Sequence, residues 1–297
     1  MMKFYIVTPA YNALHWLQGC VRSIADQVCD GIEVHHHVQD GASTDGTAAW
    51  LESWQQQHAD TPGYKLTFES VPDAGLYDAI NIAWKKMPDD ADITAHLNSD
   101  EQYLPGALAA VAAEMQKQPK ADIAMASYMV LDKDFRYICH RRTSRPRKTV
   151  SRVICQLITC ATFHRASVFR KRGVYFDASY KSLADVVFFR DIMMTSPRVI
   201  QLPQVFTSIY VVTGHNVSWS DVTNIDKARL YAELPWYLVK LCPVFVKWNN
   251  MQYYVAEWLN ESPREYAIYP AGAAERATRT IKHPTVKWGF RTEGEHD

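Results

Sequence analysis

Short apolar runs alternate with helical segments through the first half of the chain. The apolar runs, which are typical of buried strands, lie at residues 4–7, 32–38, 64–70 and 93–97. Segments with helical character lie between and after them, at residues 14–27, 47–58, 76–86 and 105–118. Strands that alternate with helices form a mostly parallel sheet with crossover helices. We therefore predict an α/β fold in which helices flank a mostly parallel sheet.

The second half of the chain divides into two parts. Strands are predicted at residues 123–131, 160–163 and 205–212, and helices at residues 166–172 and 183–194. Past residue 220 the chain becomes helical and rich in aromatic residues. We therefore predict a sheet-based region at residues 1–219 and a helical, aromatic-rich C-terminal extension at residues 220–297.

A run of basic residues lies between residues 136 and 152, in a segment that we predict to be a loop. Such a run is usually a solvated segment. Alternatively, it contacts an anion, such as the diphosphate of a lipid-linked acceptor, while the aromatic C-terminal helices rest at the membrane interface. Those aromatic residues could also pack against the sheet or a partner chain. A homo-oligomer and a peripheral membrane contact both stay open.

Composition narrows the class of protein. Lys and Arg together number 32, as do Asp and Glu, so no overall field would recruit nucleic acid and no such partner is expected. The N-terminus lacks a signal-peptide pattern, and no segment approaches the ~20 apolar residues of a membrane-spanning helix. The 6 cysteines form no C-x-x-C pair, which favours reduced thiols. We expect a cytoplasmic protein, with any membrane contact on the inner face.

The acidic cluster Asn98-Ser99-Asp100-Glu101 follows the fourth predicted strand directly. In open α/β sheets, ligands bind outside the carboxyl ends of the strands, and carboxylate oxygens there can hold Mg²⁺ or Mn²⁺ against phosphate groups. Asn, Ser and Asp are also ordinary turn formers. The cluster alone therefore leaves a metal site and a simple turn both open.

Three further polar motifs follow the other parallel strands. Pro9 and Tyr11 lie after the first strand, where an aromatic ring could line one side of a nucleobase site. Asp40 follows the second strand, and Asp73 with Asn81 follows the third. A strand-end Asp can accept hydrogen bonds from a base or a ribose hydroxyl. Each motif alone is also consistent with an ordinary strand-to-helix loop, turn chemistry, a helix cap or a solvated helix face.

In this order the four motifs resemble those of family 2 glycosyltransferases, which have the GT-A fold. They read Thr-Pro-Ala-Tyr-Asn at 8–12, Asp-Gly-Ala-Ser-Thr-Asp-Gly-Thr at 40–47, Asp-Ala-Gly-Leu-Tyr-Asp-Ala-Ile-Asn at 73–81 and Asn-Ser-Asp-Glu at 98–101. Each motif is common, but four at successive strand ends are specific. The resemblance extends over residues 3–215 and implies a GT-A (Rossmann-like) nucleotide-sugar-binding and catalytic domain at 1–219, of the bacterial surface-polysaccharide type.

The resemblance also implies roles for individual residues. Matching the family's nucleotide-sugar site are Pro9, Ala10 and Tyr11 beside the nucleobase, Asp40 on the base, and Asp73, Gly75 and Asn81 beside the nucleotide and its diphosphate. Asn98, Ser99 and Asp100 match the D-x-D element, with Asp100 as the ligand of Mn²⁺ or Mg²⁺. Asn98 departs from the pattern because it replaces the first acid.

Two later segments match the family less closely. Asp185 resembles the catalytic base, although Ala184 and Val187 stand where many members have acids, and an N-cap role for Asp185 stays open. Residues 159–163 resemble a segment that flanks the acceptor. Residues 214–218 resemble a loop that closes over the donor, where His215 could contact phosphate or simply be solvated.

These matches predict an inverting glycosyltransferase that moves a sugar from a nucleotide-diphosphate donor, expected to be UDP-linked, to a glycan or lipid-linked glycan. Asp100 would bind the metal and Asp185 would act as general base. The alternative is a catalytically weakened homologue that binds nucleotide sugar or glycan as a scaffold subunit. A nucleotidyltransferase is less consistent with the sequence, because no Gly-rich, Lys/Arg-bearing triphosphate loop follows the first strand.

Overall fold

A computed structural model of the chain describes residues 1–214 and 221–287 and confirms the α/β fold. The helices are α1 Leu14–Ala25, α2 Thr47–Gln57, α3 Leu76–Lys85, α4 Ala107–Lys117, α5 Ala166–Arg172, α6 Ala184–Met194, α7 Asp221–Ala232 and α8 Trp236–Trp258. The strands are β1 Met2–Ala10, β2 Ile32–Asp40, β3 Tyr64–Ser70, β4 Ile93–His96, β5 Gln102–Tyr103, β6 Ile123–Asp132, β7 Tyr137–Arg141, β8 Thr162–Arg165, β9 Val199–Val212, β10 Glu265–Ile268 and β11 Ala277–Thr280.

One large sheet organises the described residues. Its order is β3-β2-β1-β4-β8-β6-β9-β5, and β7 pairs with β6 outside this path. Strands β3, β2, β1 and β4 are mutually parallel, whereas β8 runs antiparallel to both β4 and β6. The parallel half corresponds to the four strands that the alternating pattern predicts.

The parallel strands form because helices cover both of their faces. β1 is buried along nearly its whole length, as is usual for a central strand of a parallel sheet. Leu17, Val21 and Ile24 of α1 pack into the core on one side of the sheet. On the other side, Ile80 and Trp84 of α3 pack into a second cluster. Residues spaced by three or four thus bury one side of each helix.

Two local predictions differ from the structure. Residues 159–161, at the start of the predicted strand 160–163, form a 3-10 turn, and β8 begins only at Thr162. The predicted basic loop 136–152 contains strand β7 and a 3-10 turn at Val150–Arg152. The prediction of a solvated loop is wrong for Arg142, because its side chain is buried. Its Nε lies 3.0 Å from Glu257, and its Nη1 donates to the Pro203 carbonyl at 2.7 Å.

The C-terminal region contacts the sheet through more than helices. Glu257 of α8 binds Arg142 and His140, which ties the helix to the end of β7. The hairpin β10–β11, which the sequence does not predict, packs Tyr266 and Ile268 against residues of β6 and β9. The Tyr266 hydroxyl donates to the Phe135 carbonyl at 2.8 Å. The proposed boundary at residue 219 stays a prediction.

None of the described helices combines the length and hydropathy needed to cross a bilayer.

Candidate active site

The four sequence motifs meet at one edge of the sheet. In the parallel register Ala10 pairs with Asp40, Asp40 pairs with Ser70, and His96 pairs with Val7, so the strand ends lie side by side. Hydrogen bonds continue into the loops, because the Gly41 amide donates to the Ala10 carbonyl at 2.9 Å. The shared edge that the sequence predicts for these motifs is present.

Gly41 separates two predicted nucleotide-binding residues. A Cβ atom at Gly41 would lie 2.9 Å from Oδ2 of Asp73 and 3.3 Å from Cδ2 of Tyr11. Tyr11 is 68% exposed. Pro9 and Ala10 lie in the end of β1 that leads to it. A flat exposed ring beside bare backbone and a carboxylate suits the stacking and hydrogen bonding of a nucleobase.

Asp40 has a different environment from the one expected. Its side chain is fully buried. Its carboxylate accepts hydrogen bonds from the Ser43 amide at 3.0 Å and the Ser70 hydroxyl at 2.5 Å, and from the Ser43 hydroxyl. In this conformation Asp40 holds the loop after β2 against the end of β3. A direct contact between Asp40 and a nucleobase stays a prediction.

Oxygen atoms without partners lie at the end of β4. The backbone amide of Asn98 donates to Oε2 of Glu101 at 2.8 Å, and the Glu101 amide donates to the Asn98 carbonyl at 3.0 Å. Oδ1 of Asn98 and Oε1 of Glu101 are buried without a hydrogen-bond partner. Buried polar oxygens of this kind need a partner, and a cation can be one. Ser99 lies half-buried within the same turn.

Without a bound cation, the ionised forms of Asp100 and Glu101 are electrostatically unfavourable. Burial raises the pKa of Asp100 to about 6. Burial, together with the nearby Asp100 charge, raises the pKa of Glu101 to about 8. Carboxylate and amide oxygens are the ligands that Mg²⁺ and Mn²⁺ accept. The residues therefore fit a divalent cation.

These protein ligands would not complete a coordination shell. Among residues 1–214 and 221–287 no group of three or more His, Cys, Asp or Glu side chains is arranged to hold a metal. Phosphate oxygens and water would have to supply the remaining ligands, as is usual for Mg²⁺ sites that bind nucleotides.

Asp185 stands in the first turn of α6, half-buried beside a cavity of about 140 Å³. Burial raises the pKa of its carboxyl to about 6. Thr162, Gln156 and Tyr253 line the same cavity. So do residues 143 and 144, whose side-chain hydroxyls are buried without partners. A polar cavity beside a carboxylate of raised pKa is suited to bind and deprotonate a hydroxyl group.

The loop after β3 and the first turn of α3 join this cavity to the nucleotide edge. The Tyr77 hydroxyl donates to the Ser182 carbonyl at 3.1 Å, and Nζ of Lys181 donates to the Ala74 carbonyl at 3.4 Å. Asp73, in the middle of the loop, lies against Gly41. The segment that carries Asp185 is therefore docked on the loop that borders the predicted nucleobase site.

A residue without any sequence signal holds the Asp185 segment in place. Asp226 of α7 is buried, and its Oδ2 accepts the backbone amides of Lys181, Ser182 and Leu183 at 2.8, 2.7 and 3.1 Å. It lies 45 residues from Lys181 in the chain. No local motif marks it, because its partners are backbone groups that become neighbours only on folding.

Asn81 and Gly75 have structural roles in this conformation. Oδ1 of Asn81 accepts the Phe176 amide at 3.0 Å and its Nδ2 donates to the Phe176 carbonyl at 2.8 Å. This contact fastens α3 to the segment before α6, and a nucleotide contact for Asn81 stays a prediction. Gly75 precedes α3 with φ 111°, a conformation that favours glycine. His215 lies outside the described residues.

A wider depression of about 700 Å³ lies where β6 and β9 begin. Lys120, Arg145 and Arg198 are among the residues that line it. Arg145 belongs to the basic run 136–152, but none of the residues predicted to bind nucleotide sugar or metal lines the depression, and it is not part of the candidate active site.

Comparison with known families identifies the type of enzyme. The model of glycosyl transferase family 2 matches residues 5–173, which is more than half of the chain. The chain belongs to glycosyltransferase family 2. The matched region includes the motifs at the ends of β1 to β4 and stops before α6. No curated protein matches this glycosyltransferase by sequence.

Solved structures show that the glycosyltransferase has the GT-A fold. TarS 1-349 from S. aureus, solved with UDP-GlcNAc, superposes with a TM-score of 0.59 at 16% identity, covering 82% of this chain and 72% of that TarS fragment. The mannosyltransferase PcManGT from Pyrobaculum calidifontis, solved with GDP-Man and Mn²⁺, superposes with a TM-score of 0.57 at 17% identity, covering 85% of this chain and 71% of PcManGT. At these identities the similarity supports the fold alone.

Proposed function

We propose that this family 2 enzyme is an inverting, metal-dependent glycosyltransferase of the bacterial surface-polysaccharide type. Its donor is a nucleoside-diphosphate sugar, expected to be UDP-linked, and its acceptor is a hydroxyl group of a glycan or lipid-linked glycan. Structures of similar fold were solved with UDP-GlcNAc in one case and with GDP-Man and Mn²⁺ in another. These complexes support the donor class and the metal.

The proposal is carried by the contacts of the loop after β3 and of the first turn of α3. On one side Asp73 lies against Gly41 in the predicted nucleobase site. On the other side Ala74 and Tyr77 bond to the segment that leads into Asp185. One loop thus connects a site suited to a nucleotide with a cavity suited to a hydroxyl group. A group-transfer enzyme needs this adjacency, whereas a simple binding protein does not.

Inversion requires attack from the face opposite the leaving group. The acceptor oxygen forms a bond to the anomeric carbon as the bond from that carbon to the diphosphate oxygen breaks. Asp185 takes the hydroxyl proton, and the electron pair leaves with the diphosphate. Asp100, with the oxygens of Asn98 and Glu101, would hold a divalent cation that neutralises charge on the leaving diphosphate.

The proposal is tested by incubating the purified protein with UDP-, GDP- and dTDP-sugars, Mn²⁺ and glycan acceptors. We expect release of a nucleoside diphosphate and a product of inverted anomeric configuration. Failure of every donor both to turn over and to raise the melting temperature would contradict it.

The scaffold alternative loses part of its support in the structure. Ala184 and Val187, which stand where many family members have acids, are both buried in the core cluster below α6. They pack against the sheet, and neither lines the cavity beside Asp185. Asn98 is the one remaining departure that touches the candidate metal site. Donor binding without transfer, unchanged by Asp185→Asn, would favour the scaffold.

The rate is expected to fall below about pH 6, since burial raises the pKa of Asp185 to about 6 and only its ionised form accepts a proton. The decline should approach tenfold per pH unit in kcat. Saturating donor and Mn²⁺ keep the metal site filled across the range. A flat kcat profile from pH 5 to pH 8 in the wild type would argue against this role.

Gly41→Val is expected to weaken UDP binding by about tenfold, because the added carbon atoms occupy space beside Asp73 and Tyr11. Calorimetric titration of UDP with Mn²⁺ measures the change. Ala113→Val, on the exposed side of α4, is the matched control and should bind UDP like the wild type. Equal affinities for both variants would exclude Gly41 from the nucleotide site.

Asp226→Ala is expected to lower kcat by about tenfold or more with little change in the donor KM, because the Asp185 segment loses three hydrogen bonds. Asp226→Asn retains one acceptor oxygen and should recover part of the rate. A merely structural role would instead lower the melting temperature and leave kcat per folded molecule unchanged.

A further inference from the structure

The outer side of α8 carries a strip of exposed apolar residues. Its members recur every three, four or seven positions, which places them on one side of the helix: Tyr237, Leu241, Val244, Met251, Val255 and Trp258. Trp236, at the start of the helix, is 71% exposed, and Trp258, at its end, is 84% exposed. We call the six residues that share this side of the helix the α8 strip. Contiguous apolar surface of this kind usually marks an interaction site.

The opposite side of α8 already packs against the protein. Leu238 is buried with Val153 and Leu234. Asn249 is buried and its Oδ1 accepts a hydrogen bond from Gln156 at 3.3 Å. Glu257 bonds to Arg142 at 3.0 Å. The helix is therefore held in place from one side, which leaves the strip directed away from its contacts with the protein.

Charge on α8 is distributed unevenly. The exposed lysines Lys240 and Lys247 lie beside the strip on the helix surface. Its acid, Glu257, is bound to His140 and Arg142. The exposed side of α8 therefore combines apolar and aromatic residues with positive charge and carries no free carboxylate of its own.

We propose that the α8 strip rests on the surface of an anionic lipid bilayer, with α8 lying in the plane of the interface. Tryptophan and tyrosine are favoured at the boundary between acyl chains and headgroups, and lysines at the edge of an apolar face reach anionic headgroups. α8 is 23 residues long, but its hydropathy is too low for a spanning helix. Its one-sided apolar strip suits a helix that lies on the membrane.

A second copy of the chain fits the strip less well. Two α8 helices packed through their strips would bring Lys240 and Lys247 of both copies to the margins of one interface. Neither helix offers a free carboxylate there, since Glu257 is engaged by Arg142 and His140. Like charges brought together at one interface destabilise it. An anionic surface instead complements both lysines.

Contact with a bilayer would also place the candidate acceptor cavity close to the membrane. Tyr253 of α8 lines the cavity that contains Asp185. This consequence, which favours a lipid-linked acceptor, rests on the proposed function, whereas the bilayer contact itself does not. Vesicle binding can therefore succeed or fail independently of glycosyl transfer.

Co-sedimentation of the full chain with vesicles tests the proposal. Vesicles of phosphatidylcholine alone are compared with vesicles that also contain phosphatidylglycerol. We expect binding to the anionic vesicles and its weakening at high salt. Val244→Glu should reduce the vesicle partition coefficient about tenfold or more, since a charge enters the apolar face. Met194→Glu, at an exposed apolar position on α6, is the matched control and should bind normally.

A second pair of variants, Lys240→Gln and Lys247→Gln, tests the role of charge. Both lysines are exposed, so neither substitution disturbs the buried core. Each should reduce binding to the anionic vesicles by about fivefold. The proposal is overturned if the wild type stays in the supernatant with anionic vesicles, or if Val244→Glu binds like Met194→Glu. A wild-type dimer in solution that Val244→Glu dissociates would assign the strip to a second copy instead.

Discussion

Replacement of Asp185 by Asn is expected to lower kcat by about 10²–10⁴-fold, while the donor KM changes little. Asn keeps the shape of the side chain but cannot accept the acceptor's proton. Donor binding should survive this change. The predicted nucleobase site, formed by Tyr11, Gly41 and Asp73, lies on the far side of the loop on which the Asp185 segment is docked. Initial rates and UDP titrations on the same preparation separate the two effects.

The stability of Asp185→Asn provides the internal control. Because burial raises the folded-state pKa of Asp185 to about 6 from an ordinary 3.8, the native state holds this proton more tightly than the unfolded state does. Native stability contributed by the group therefore falls as the pH rises towards 6. Above that pH the buried charge costs about 1–3 kcal/mol.

Asn carries no charge, so we expect Asp185→Asn to melt at or above the wild-type temperature at neutral pH. Asp191→Asn changes a carboxylate that is 48% exposed on the same helix and should keep full activity. A variant at residue 185 that loses activity together with stability would point to misfolding. Retained activity with normal stability would remove Asp185 as the base.

The parallel half of the sheet was predictable because its signals are local. Each strand of β1 to β4 is a short apolar run, and each helix between them shows its own spacing. Parallel strands joined by helices must end at the same edge, so the motifs after Ala10, Asp40, Ser70 and His96 were bound to meet there. Element type and site location follow from patterns within a few residues.

What the sequence did not reveal depends on partners far away in the chain. Arg142 reads as one of several arginines in a polar run, and Glu257, which neutralises it, lies 115 residues further on. Asn81 resembles an exposed helix residue, yet it binds Phe176. The hairpin β10–β11 is short and is stabilised by packing against β6 and β9. Burial against residues distant in the chain determines the positions of Arg142, Asn81 and the hairpin. Local sequence propensity carries no information about such burial.

Removal of the Asp100 carboxylate is expected to lower activity by about 10³-fold and to abolish its dependence on Mn²⁺. Asp100→Asn keeps the volume of the side chain but loses the charge that a cation would balance. Oδ1 of Asn98 and Oε1 of Glu101 remain as neighbouring oxygens, so weak metal binding should persist without productive transfer. Mn²⁺ titrations of the UDP complex, followed by melting temperature, measure the loss directly.

Asn98→Asp, which adds a carboxylate to the same cluster, sharpens the test of Asp100. Without metal it would place a third acid beside Asp100 and Glu101, whose pKa values burial already raises, and should lower the melting temperature. With Mn²⁺ and UDP the added ligand should yield a larger stabilisation than in the wild type. Asp60→Asn, in an exposed turn, should change neither measurement. If Asp100→Asn retained wild-type Mn²⁺ dependence, the cation would have to bind elsewhere, and the end of β4 would be a turn rather than a metal site.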